Sequence, residues 1–499
     1  MSNSTVTKMV YKQTQVYLVG AGPGDPELIT VKGRRILSCA DVVLYDFLAH
    51  PSLLAYCKPE AVLIGVGKKK GYHLKTQAQI HRLIKKWVKK GKTVVRLKGG
   101  DPLMFGRGGE EMAYLQKQGI LFEVVPGVTS ANGIAAYVGI PLTHRTLSRS
   151  VAFVTGSPSQ GDVMDSICIP EADTLVFFMG LSHLPYLVQR LLAFSSFDTT
   201  TPVAFVCKGT LAHQKVIMST LGTIEEDAKR IQETPVLWIV GSVVTLASQL
   251  GWRNRLLLLD RRIVIARSST HNEQWANRLS DLGAEVVVFP LIRPTLFMQG
   301  VRQLTLSKCR SATTLIFTSA NGVRFFFEIL AQKKIGVEWV SQLKIIAVGP
   351  QTAHAISEYG LSAYEAPTSQ QEGVMALLDT WPSLQCETIM IPGAKDSRPD
   401  LANWLQAKEV TTHIIPVYKT EKLTPPYWPI QTGDYVWFTS SSTAEAFFSH
   451  PDFLDTLHIN ACCLGPITAA TVKSHYKGPC LVAKKATFEA MVEAMMASS

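Results

Sequence analysis

The sequence lacks the long apolar runs, paired cysteines and biased composition that would set it apart from ordinary globular proteins. No run approaches the ~18 apolar residues of a membrane-spanning helix, and the first fifteen residues are polar, without the apolar core of a signal peptide. The nine cysteines include no C-x-x-C pair, which argues against a disulfide framework or a thiolate metal site. Charged residues make up only 18% and hydrophobic residues 46%, as in folded chains. We therefore expect a folded cytoplasmic protein with no metal centre and no membrane contact.

Acidic residues are scarce in one part of the first half. Residues 1–260 hold 29 Lys and Arg against 19 Asp and Glu, whereas residues 261–499 hold 21 against 20. Residues 51–100 alone hold 13 basic residues and a single acid, Glu60. Five of these recur at helical spacing: Arg82, Lys85, Lys86, Lys89 and Lys90. The stretch indicates either a solvated basic helix or an anionic partner. Few aromatic residues accompany it and no recognition-helix or zinc-finger pattern is present, so a small polyanion is favoured over nucleic acid.

Apolar strands alternate with helical patterns along most of the chain, which predicts an α/β fold, doubly wound in the first half. The alternation lapses between Trp252 and Arg262 and restarts at Ile263. We therefore expect one domain at 15–257 and another at 261–499. Within the second domain, residues 314–321 resemble residues 435–442, which predicts two similar α/β lobes. Each half is long enough to bury its own core, so we expect the halves to act independently.

A glycine-rich loop follows the first predicted strand. Gly20, Gly22 and Gly24 suggest a dinucleotide loop, but Asp25 stands where that fingerprint has its third glycine. An acid there would repel a pyrophosphate and would tolerate a cationic or zwitterionic ligand such as S-adenosylmethionine. A second glycine-rich stretch, 99–108, also follows a predicted strand. Either loop could be only a tight turn, so the loops alone leave the ligand open.

Six short motifs follow one another in residues 19–145. They are VGAGPGD from Val19, ADVVLYD from Ala40, GKKKGYH from Gly67, GGDP from Gly99, VPGVTS from Val125 and GIPLTHR from Gly139. Together they resemble uroporphyrinogen-III C-methyltransferase, and the likeness covers about residues 15–253. The second half carries FTSANG from Phe317, AVGP from Ala347, FTS from Phe438 and GPIT from Gly465. From Arg262 onward the chain is similar, more weakly, to uroporphyrinogen-III synthase.

The resemblance implies a bifunctional enzyme of tetrapyrrole biosynthesis. The second half would cyclise hydroxymethylbilane to uroporphyrinogen III, and the first would methylate that product twice with S-adenosylmethionine to give precorrin-2. The eight carboxylates of uroporphyrinogen III would explain the basic stretch. The implied fold is a tetrapyrrole-methylase-like two-lobed α/β region followed by a two-lobed α/β synthase-like region, with crossings between the synthase lobes near 290–294 and 415–420. A homodimer through the methyltransferase half is also implied.

The resemblance assigns roles residue by residue. The positions for S-adenosylmethionine are Pro23, Gly99, Gly100, Asp101, Met104, Thr129, Ser130, Met179 and Gly209. Those with catalytic or substrate roles are Asp46, Lys68, Met179 and Tyr418, with Asp46 as the candidate carboxylate for proton movement. The positions that would line the synthase cleft are Thr318, Ser319, Ser440 and Thr468. In one place the chain departs from the family pattern, since Ser157 stands where the family commonly has a histidine.

Structural roles for the same residues stay open at this point. Asp46 could cap a helix, Lys68 could be one surface lysine among many and Met179 could be core packing. A second interpretation also stays open: an S-adenosylmethionine-binding protein whose basic face engages nucleic acid, with a C-terminal interaction module. Only about fifteen residues precede the methyltransferase region, so we expect no dehydrogenase-chelatase domain before it. The sequence does not decide whether the product goes to sirohaem, cobalamin or another tetrapyrrole.

Overall fold

The computed structural model describes residues 14–67, 75–158, 167–194, 196–266, 272–368, 370–425 and 427–497. The chain divides into two compact units. The first consists of Met1–Pro290 with Pro425–Ser499, and the second of Leu291–Thr424. None of the helices in the described ranges is long and apolar enough to cross a membrane.

The first sheet is fully parallel. Its strands are β1 (Val16–Gly20), β2 (Val42–Tyr45), β3 (Val62–Gly65), β4 (Val94–Lys98) and β5 (Phe122–Val125), in the order β3-β2-β4-β1-β5. Its helices are α1 (Val31–Cys39), α2 (Gln77–Val88), α3 (Gly108–Lys117) and α4 (Ser130–Val138). Strands β1 and β4 are almost wholly buried, as expected for a parallel sheet covered by helices on both faces. In open α/β sheets ligands bind beyond the carboxyl ends of the strands, and here that edge carries both glycine-rich loops.

The second sheet is mixed, and here the expectation of a doubly wound sheet is wrong. Its strands are β6 (Val151–Thr155), β7 (Thr174–Phe178), β8 (Pro202–Cys207), β9 (Lys215–Thr220) and β10 (Val236–Val240), in the order β6-β7-β10-β8-β9. Strand β10 runs antiparallel to both β7 and β8. The helices of this part are α5 (Leu184–Phe194), α6 (Ile224–Ala228) and α7 (Ala247–Leu250). Strands β8 and β9 are joined by a short loop without a helix, which permits only an antiparallel pair.

The third sheet completes the first unit and is again parallel. Its strands are β11 (Arg262–Ala266), β12 (Glu285–Val288), β19 (Tyr435–Phe438), β20 (Asn460–Cys463) and β21 (Cys480–Val482), in the order β12-β11-β19-β20-β21. Its helices are α8 (Asn272–Asp281), α15 (Ser441–Phe448), α16 (Pro466–His475) and α17 (Phe488–Met496). The chain leaves the first unit after Pro290 and returns to it at Pro425.

The second unit contains one sheet. Its strands are β13 (Ile292–Leu296), β14 (Thr314–Phe317), β15 (Lys344–Ala347), β16 (Tyr364–Glu365), β17 (Thr388–Ala394) and β18 (Thr411–Lys422), in the order β13-β18-β17-β14-β15-β16. Its helices are α9 (Met298–Gln303), α10 (Leu306–Ser311), α11 (Ala320–Gln332), α12 (Pro350–Ser357), α13 (Gln371–Asp379) and α14 (Asp400–Ala407). The entering strand β13 pairs antiparallel with β18, which ends just before the chain returns to the first unit.

The repeat seen in the sequence of the second half is a repeat of structure. After β14, the Ser319 hydroxyl accepts the amide of Gly322 and caps α11, and after β19 the Ser440 hydroxyl accepts the amide of Thr443 and caps α15. A capping hydroxyl at a strand end sets the direction of the following helix, so both segments build the same strand–cap–helix unit.

Buried polar contacts join the two halves of the sequence inside the first unit. Glu285 on β12 lies 2.6 Å from Nε of Arg262, and it accepts a 2.9 Å hydrogen bond from the amide of Ala212 in the first half. Its other contact is His50, at 3.4 Å. Nearby, the Ser52 hydroxyl donates to the carbonyl of Val286 at 3.0 Å. The expectation of independent halves did not foresee this shared polar core.

Candidate functional site

A cavity of about 1480 Å³ opens in the first unit. Loops that follow β1, β2, β4 and β5 of the first sheet line it, together with loops that follow β7 and β8 of the second. Pockets that hold one drug-sized molecule have volumes of about 300–1,000 Å³. This cavity is larger and therefore has room for two ligands.

The structure brings together all nine positions that the resemblance assigns to S-adenosylmethionine. Each one lines the cavity: Pro23, Gly99, Gly100, Asp101, Met104, Thr129, Ser130, Met179 and Gly209. They come from five separate segments, spread over almost 190 residues of sequence, roughly a domain's length. Their convergence is a fact of the fold, and their ligand remains a prediction.

Two glycines in this wall are required by geometry. Gly100 has φ +65°, and its amide donates to the carbonyl of Gly22 at 2.7 Å, which ties the two glycine-rich loops together. At Gly209, an added Cβ would lie 2.5 Å from the side chain of Ile134. Bare backbone therefore forms the cavity surface at both positions, as close approach of a ligand to peptide groups requires.

Several non-glycine residues around the cavity also have a left-handed backbone. They are Phe105, Arg107, Met179, Lys208 and Thr210, with φ between 46° and 72°. Such conformations cost about 1–3 kcal/mol each and cluster at functional sites. Met179 is 52% exposed, so its side chain is not part of the core, and its carbonyl accepts the indole N–H of Trp238 at 3.4 Å.

Asp46 lines the cavity just after β2, and its carboxylate is held by a buried arginine. Nη2 of Arg96 donates to Asp46 at 2.6 Å, while Nε of the same guanidinium donates to Glu111 at 3.2 Å. Nζ of Lys98 also donates to Glu111, at 3.1 Å. Burial, then the neighbouring charge of Arg96, lowers the pKa of Lys98. The Asp46 side chain thus belongs to a charged network beside the cavity.

Sequence reasoning missed the partners of Asp46. The signal was present in β4, where Arg96 and Lys98 stand two residues apart in a strand otherwise made of buried apolar residues. Residues at that spacing point to the same face of a sheet. Buried basic side chains on one face demand an acid, which α3 supplies as Glu111.

Two further acids in the glycine-rich loops serve the protein's own backbone. Oδ1 of Asp101 accepts the amide of Leu103 at 2.8 Å, and Oδ2 accepts the amide of Gly127 at 3.0 Å. Asp25, whose charge entered the argument about ligand choice, is not among the residues lining the cavity. Its carboxylate accepts hydrogen bonds from the amide of Glu27 and the hydroxyl of Tyr137, so Asp25 acts as a structural cap.

The basic stretch contributes less to the cavity than its composition suggests. The five residues at helical spacing, Arg82 to Lys90, do not line it, and the helix that carries most of them presents them mainly to solvent. From residues 51–100, the described basic residues that do line the cavity are Lys75, Arg96 and Lys98. Lys68 lies outside the described residues. Ser157, at the place of the family's histidine, lines the cavity.

In the second unit, Tyr418 and Ser319 lie together. Their hydroxyl oxygens are 3.2 Å apart, and the Tyr418 ring stacks on Phe325 with centroids separated by 5.5 Å. Burial raises the pKa of Tyr418, although the hydrogen bond with Ser319 acts in the opposite direction. Thr318 immediately precedes Ser319 and is half-buried. Thr318 and Ser319 therefore follow the end of β14, and Tyr418 lies within β18.

The remaining candidates of the second half belong to the first unit. Ser440 caps α15, as described above, and its hydroxyl lies 3.0 Å from that of Ser442. Thr468 is buried in the first turn of α16. Within the described ranges, no group of three or more His, Cys, Asp or Glu side chains is placed to hold a metal ion.

Comparison with known proteins identifies two enzyme domains in this chain. Residues 15–225 match the family "Tetrapyrrole (Corrin/Porphyrin) Methylases", and residues 273–493 match "Uroporphyrinogen-III synthase HemD". The chain is thus a methyltransferase domain fused to a uroporphyrinogen-III synthase domain. It is 33% identical over 493 residues to "Porphyrin biosynthesis protein HemD" of Ruminiclostridium josui, covering 96% of this chain and 97% of that protein. The chain belongs to that family of fused tetrapyrrole-biosynthesis enzymes.

Relatives of the first half are closer in sequence. The uroporphyrinogen-III C-methyltransferase of Priestia megaterium is 49% identical over 238 residues, 47% of this chain and 99% of that enzyme. The siroheme synthase of Azotobacter vinelandii is 48% identical over 241 residues, 48% of this chain, and the match spans only 52% of that enzyme. Among solved structures, uroporphyrin-III C-methyltransferase from Thermus thermophilus is 41% identical and covers 47% of this chain and 95% of its own, with a TM-score of 0.41. The predicted fold class and the two enzyme activities are confirmed.

Proposed function

We propose that this protein cyclises hydroxymethylbilane to uroporphyrinogen III and methylates the product twice with S-adenosylmethionine to give precorrin-2. One observation carries the proposal: five loops of the methyltransferase half bring all nine expected S-adenosylmethionine positions into one cavity, beside Asp46. The cavity is large enough for the donor and a tetrapyrrole side by side.

The residues of the cavity fit a sulfonium donor. Glycines of three loop positions, 99, 100 and 209, form part of the wall, and an added Cβ at Gly209 would clash with Ile134, which also lines the cavity. S-adenosylmethionine supplies an electrophilic methyl group when bound. The loops fix the position of the methyl acceptor relative to that group, and such alignment supplies much of the acceleration of a bimolecular transfer.

Asp46 is the proton acceptor in this proposal. A new C–C bond to an electron-rich pyrrole leaves a proton to be lost, and the Asp46 carboxylate lines the same cavity. Arg96 holds that carboxylate at 2.6 Å and fixes its orientation. Glu111 anchors Arg96 in turn, so the buried charged residues of β4 and α3 position the Asp46 carboxylate.

Tyr418 is the proposed catalytic group of the synthase half. Cyclisation begins with loss of the terminal hydroxyl of hydroxymethylbilane, and a phenol can donate a proton to that leaving group. Like any tyrosine, Tyr418 carries its proton at neutral pH, and burial raises its pKa further. Its hydroxyl lies 3.2 Å from that of Ser319, which fixes its direction. Thr318, Ser440 and Thr468 are proposed to bind the bilane.

The test is to incubate the full-length chain anaerobically with hydroxymethylbilane and S-adenosylmethionine. We expect the precorrin-2 absorption spectrum, and uroporphyrinogen III alone when the methyl donor is withheld. Uroporphyrinogen III supplied directly should be methylated without hydroxymethylbilane. Absence of both reactions would favour the alternative of an S-adenosylmethionine-binding protein with a nucleic-acid-binding face, which a gel-shift assay with duplex and single-stranded DNA would then examine.

Further parts of the proposal concern setting and partners. We place the protein in the cytoplasm, as a homodimer through the methyltransferase half that does not engage nucleic acid. Its product would be handed to a separate enzyme that makes sirohaem, cobalamin or another modified tetrapyrrole. Size-exclusion chromatography with light scattering measures the oligomeric state directly.

A further inference from the structure

The methyltransferase cavity has a wall that the methyltransferase half does not supply. Residues 427–431, which follow the return of the chain to the first unit, line the cavity together with Arg262, Glu285 and Asp452. All of these belong to the synthase half of the sequence. We name residues 427–431 the returning segment.

The returning segment is firmly fixed against the methyltransferase half. Tyr427 packs on the buried apolar cluster of the first sheet, which includes Leu54, with Tyr45 and Cys57 beside it. Burial raises the pKa of the Tyr427 phenol, followed by the effect of Cys57. A tyrosine of the second half is therefore part of the first half's core packing.

Hydrogen bonds and aromatic contacts hold the rest of the returning segment. Nη2 of Arg262 donates to the carbonyl of Pro429 at 3.0 Å, and the amide of Gln431 donates to Asp434 at 2.8 Å. The Trp428 ring packs edge-on against Phe289, with centroids 5.7 Å apart. The wall is thus a rigid part of the cavity.

The returning segment stands beside the loop that carries Asp46. Tyr427 and Tyr45, the residue before Asp46, pack against the same apolar cluster. Glu285, which lines the cavity with the returning segment, contacts His50, four residues after Asp46. A tetrapyrrole placed with its reacting carbon at Asp46 must extend well beyond that carboxylate, because the macrocycle is far larger than the transferred methyl group. The returning segment lines the same cavity as Asp46 and the S-adenosylmethionine positions.

We propose that the returning segment is part of the tetrapyrrole-binding site of the methyltransferase, so that the synthase half completes the substrate site of its fused partner. The proposal rests on the proposed function. Gln431 is the residue that reports on it: its side chain lines the cavity and is exposed, and the protein's own structure uses its backbone amide. In the bound state its side-chain amide donates to a carboxylate of the substrate.

The test uses charge at position 431 in the full-length chain. Gln431→Glu should raise the KM for supplied uroporphyrinogen III, and Gln431→Lys should lower it. In water, a unit charge about 6 Å from one substrate carboxylate changes the KM by about threefold. Both shifts should shrink at high salt, because ions screen exposed charges. In both variants, the affinity for S-adenosylmethionine and the rate of hydroxymethylbilane cyclisation should stay within twofold of the wild-type values. A twofold change corresponds to about 0.4 kcal/mol.

Gln116 provides the matched control, because it is exposed on α3 of the same unit and does not line the cavity. Gln116→Glu and Gln116→Lys should leave the KM unchanged. Three results would overturn the inference. The two Gln431 variants could have equal KM values for uroporphyrinogen III, both could raise that KM equally, or the rate of hydroxymethylbilane cyclisation could change as much as the KM. A wild-type chain that fails to methylate uroporphyrinogen III would instead defeat the proposed function, and the inference with it.

Discussion

Glu285 offers a sharp test of how the two halves are held together. The Glu285→Gln variant keeps the shape of the side chain and removes its charge. In the native protein this carboxylate is buried, lies 2.6 Å from Nε of Arg262, and accepts hydrogen bonds from the amide of Ala212 and from His50. The amide of Ser52 donates to Nδ1 of His50, so Nε2 carries the proton that points to Glu285.

Removing one partner of a buried ion pair costs about 3–5 kcal/mol, because the remaining charge stays buried without its counter-ion. Arg262 keeps Asp434, at 2.5 Å, and the glutamine can still accept from Ala212. We therefore expect a loss of about 3 kcal/mol in the free energy of unfolding, at the lower end of that range. Urea unfolding at pH 7, followed by fluorescence, measures it.

The same variant should change the response to acid. Burial acts to raise the pKa of Glu285, but the hydrogen bond from His50 and the charge of Arg262 outweigh it and hold the pKa well below the ordinary 4.5. A depressed pKa stabilises the fold above the unfolded value, and that contribution is lost as pH falls toward the folded value. The difference between wild type and variant should therefore be constant above about pH 5.5 and shrink below 4.5.

Glu226→Gln is the control, because Glu226 forms an exposed ion pair with Lys229 and such pairs contribute little. It should leave the free energy of unfolding unchanged within error. If Glu285→Gln behaves like this control, or if its deficit grows as pH falls, the account of a charged core shared between the halves is refuted.

Three further predictions concern the two reactions. Asp46→Asn should bind S-adenosylmethionine normally by calorimetry and methylate about 10²-fold more slowly or worse; unchanged turnover would remove Asp46 from the mechanism. Gly209→Ala should weaken S-adenosylmethionine binding about tenfold through overpacking against Ile134, whereas Gly109→Ala, with no neighbour within 4 Å, should not; equal affinities would contradict the assigned cradle. Tyr418→Phe should slow cyclisation of hydroxymethylbilane and spare methylation of supplied uroporphyrinogen III; slowing of both reactions would point to a folding defect instead.

The strands of the first sheet could be predicted because they are buried on both sides. An apolar run such as Val16–Gly20 carries its own signal, since a parallel sheet covered by helices needs no polar face. Strand β9, Lys215–Thr220, carries no such signal for the opposite reason: it lies at the edge of a sheet and none of its residues is buried. The antiparallel direction of β10 could not be predicted either, because the direction of a strand depends on which strands it pairs with and not on its local composition.

The glycine positions of the cavity could be predicted, whereas the partners of its charged groups could not. Gly100 stands in the short motif GGDP, and the family resemblance assigns Gly209. The network of Asp46, Arg96 and Glu111 assembles side chains up to 65 positions apart, and only the fold reveals the pairing. The returning segment lies even farther along the chain, and nothing in its sequence indicates that it contacts the methyltransferase half.

The shared polar core has a consequence for how such a fusion can evolve. When two enzymes are joined by a flexible linker, either one can be fused to a different enzyme, because neither needs the other for its own packing. Here Ser52 needs the backbone of β12, and the carboxylate of Glu285 needs both Arg262 and the amide of Ala212. If a synthase from another organism were fused to this methyltransferase, those buried polar groups would lose their hydrogen-bond partners unless the new synthase had equivalent residues. We therefore expect substitutions at these contacts in one half to require matching substitutions in the other.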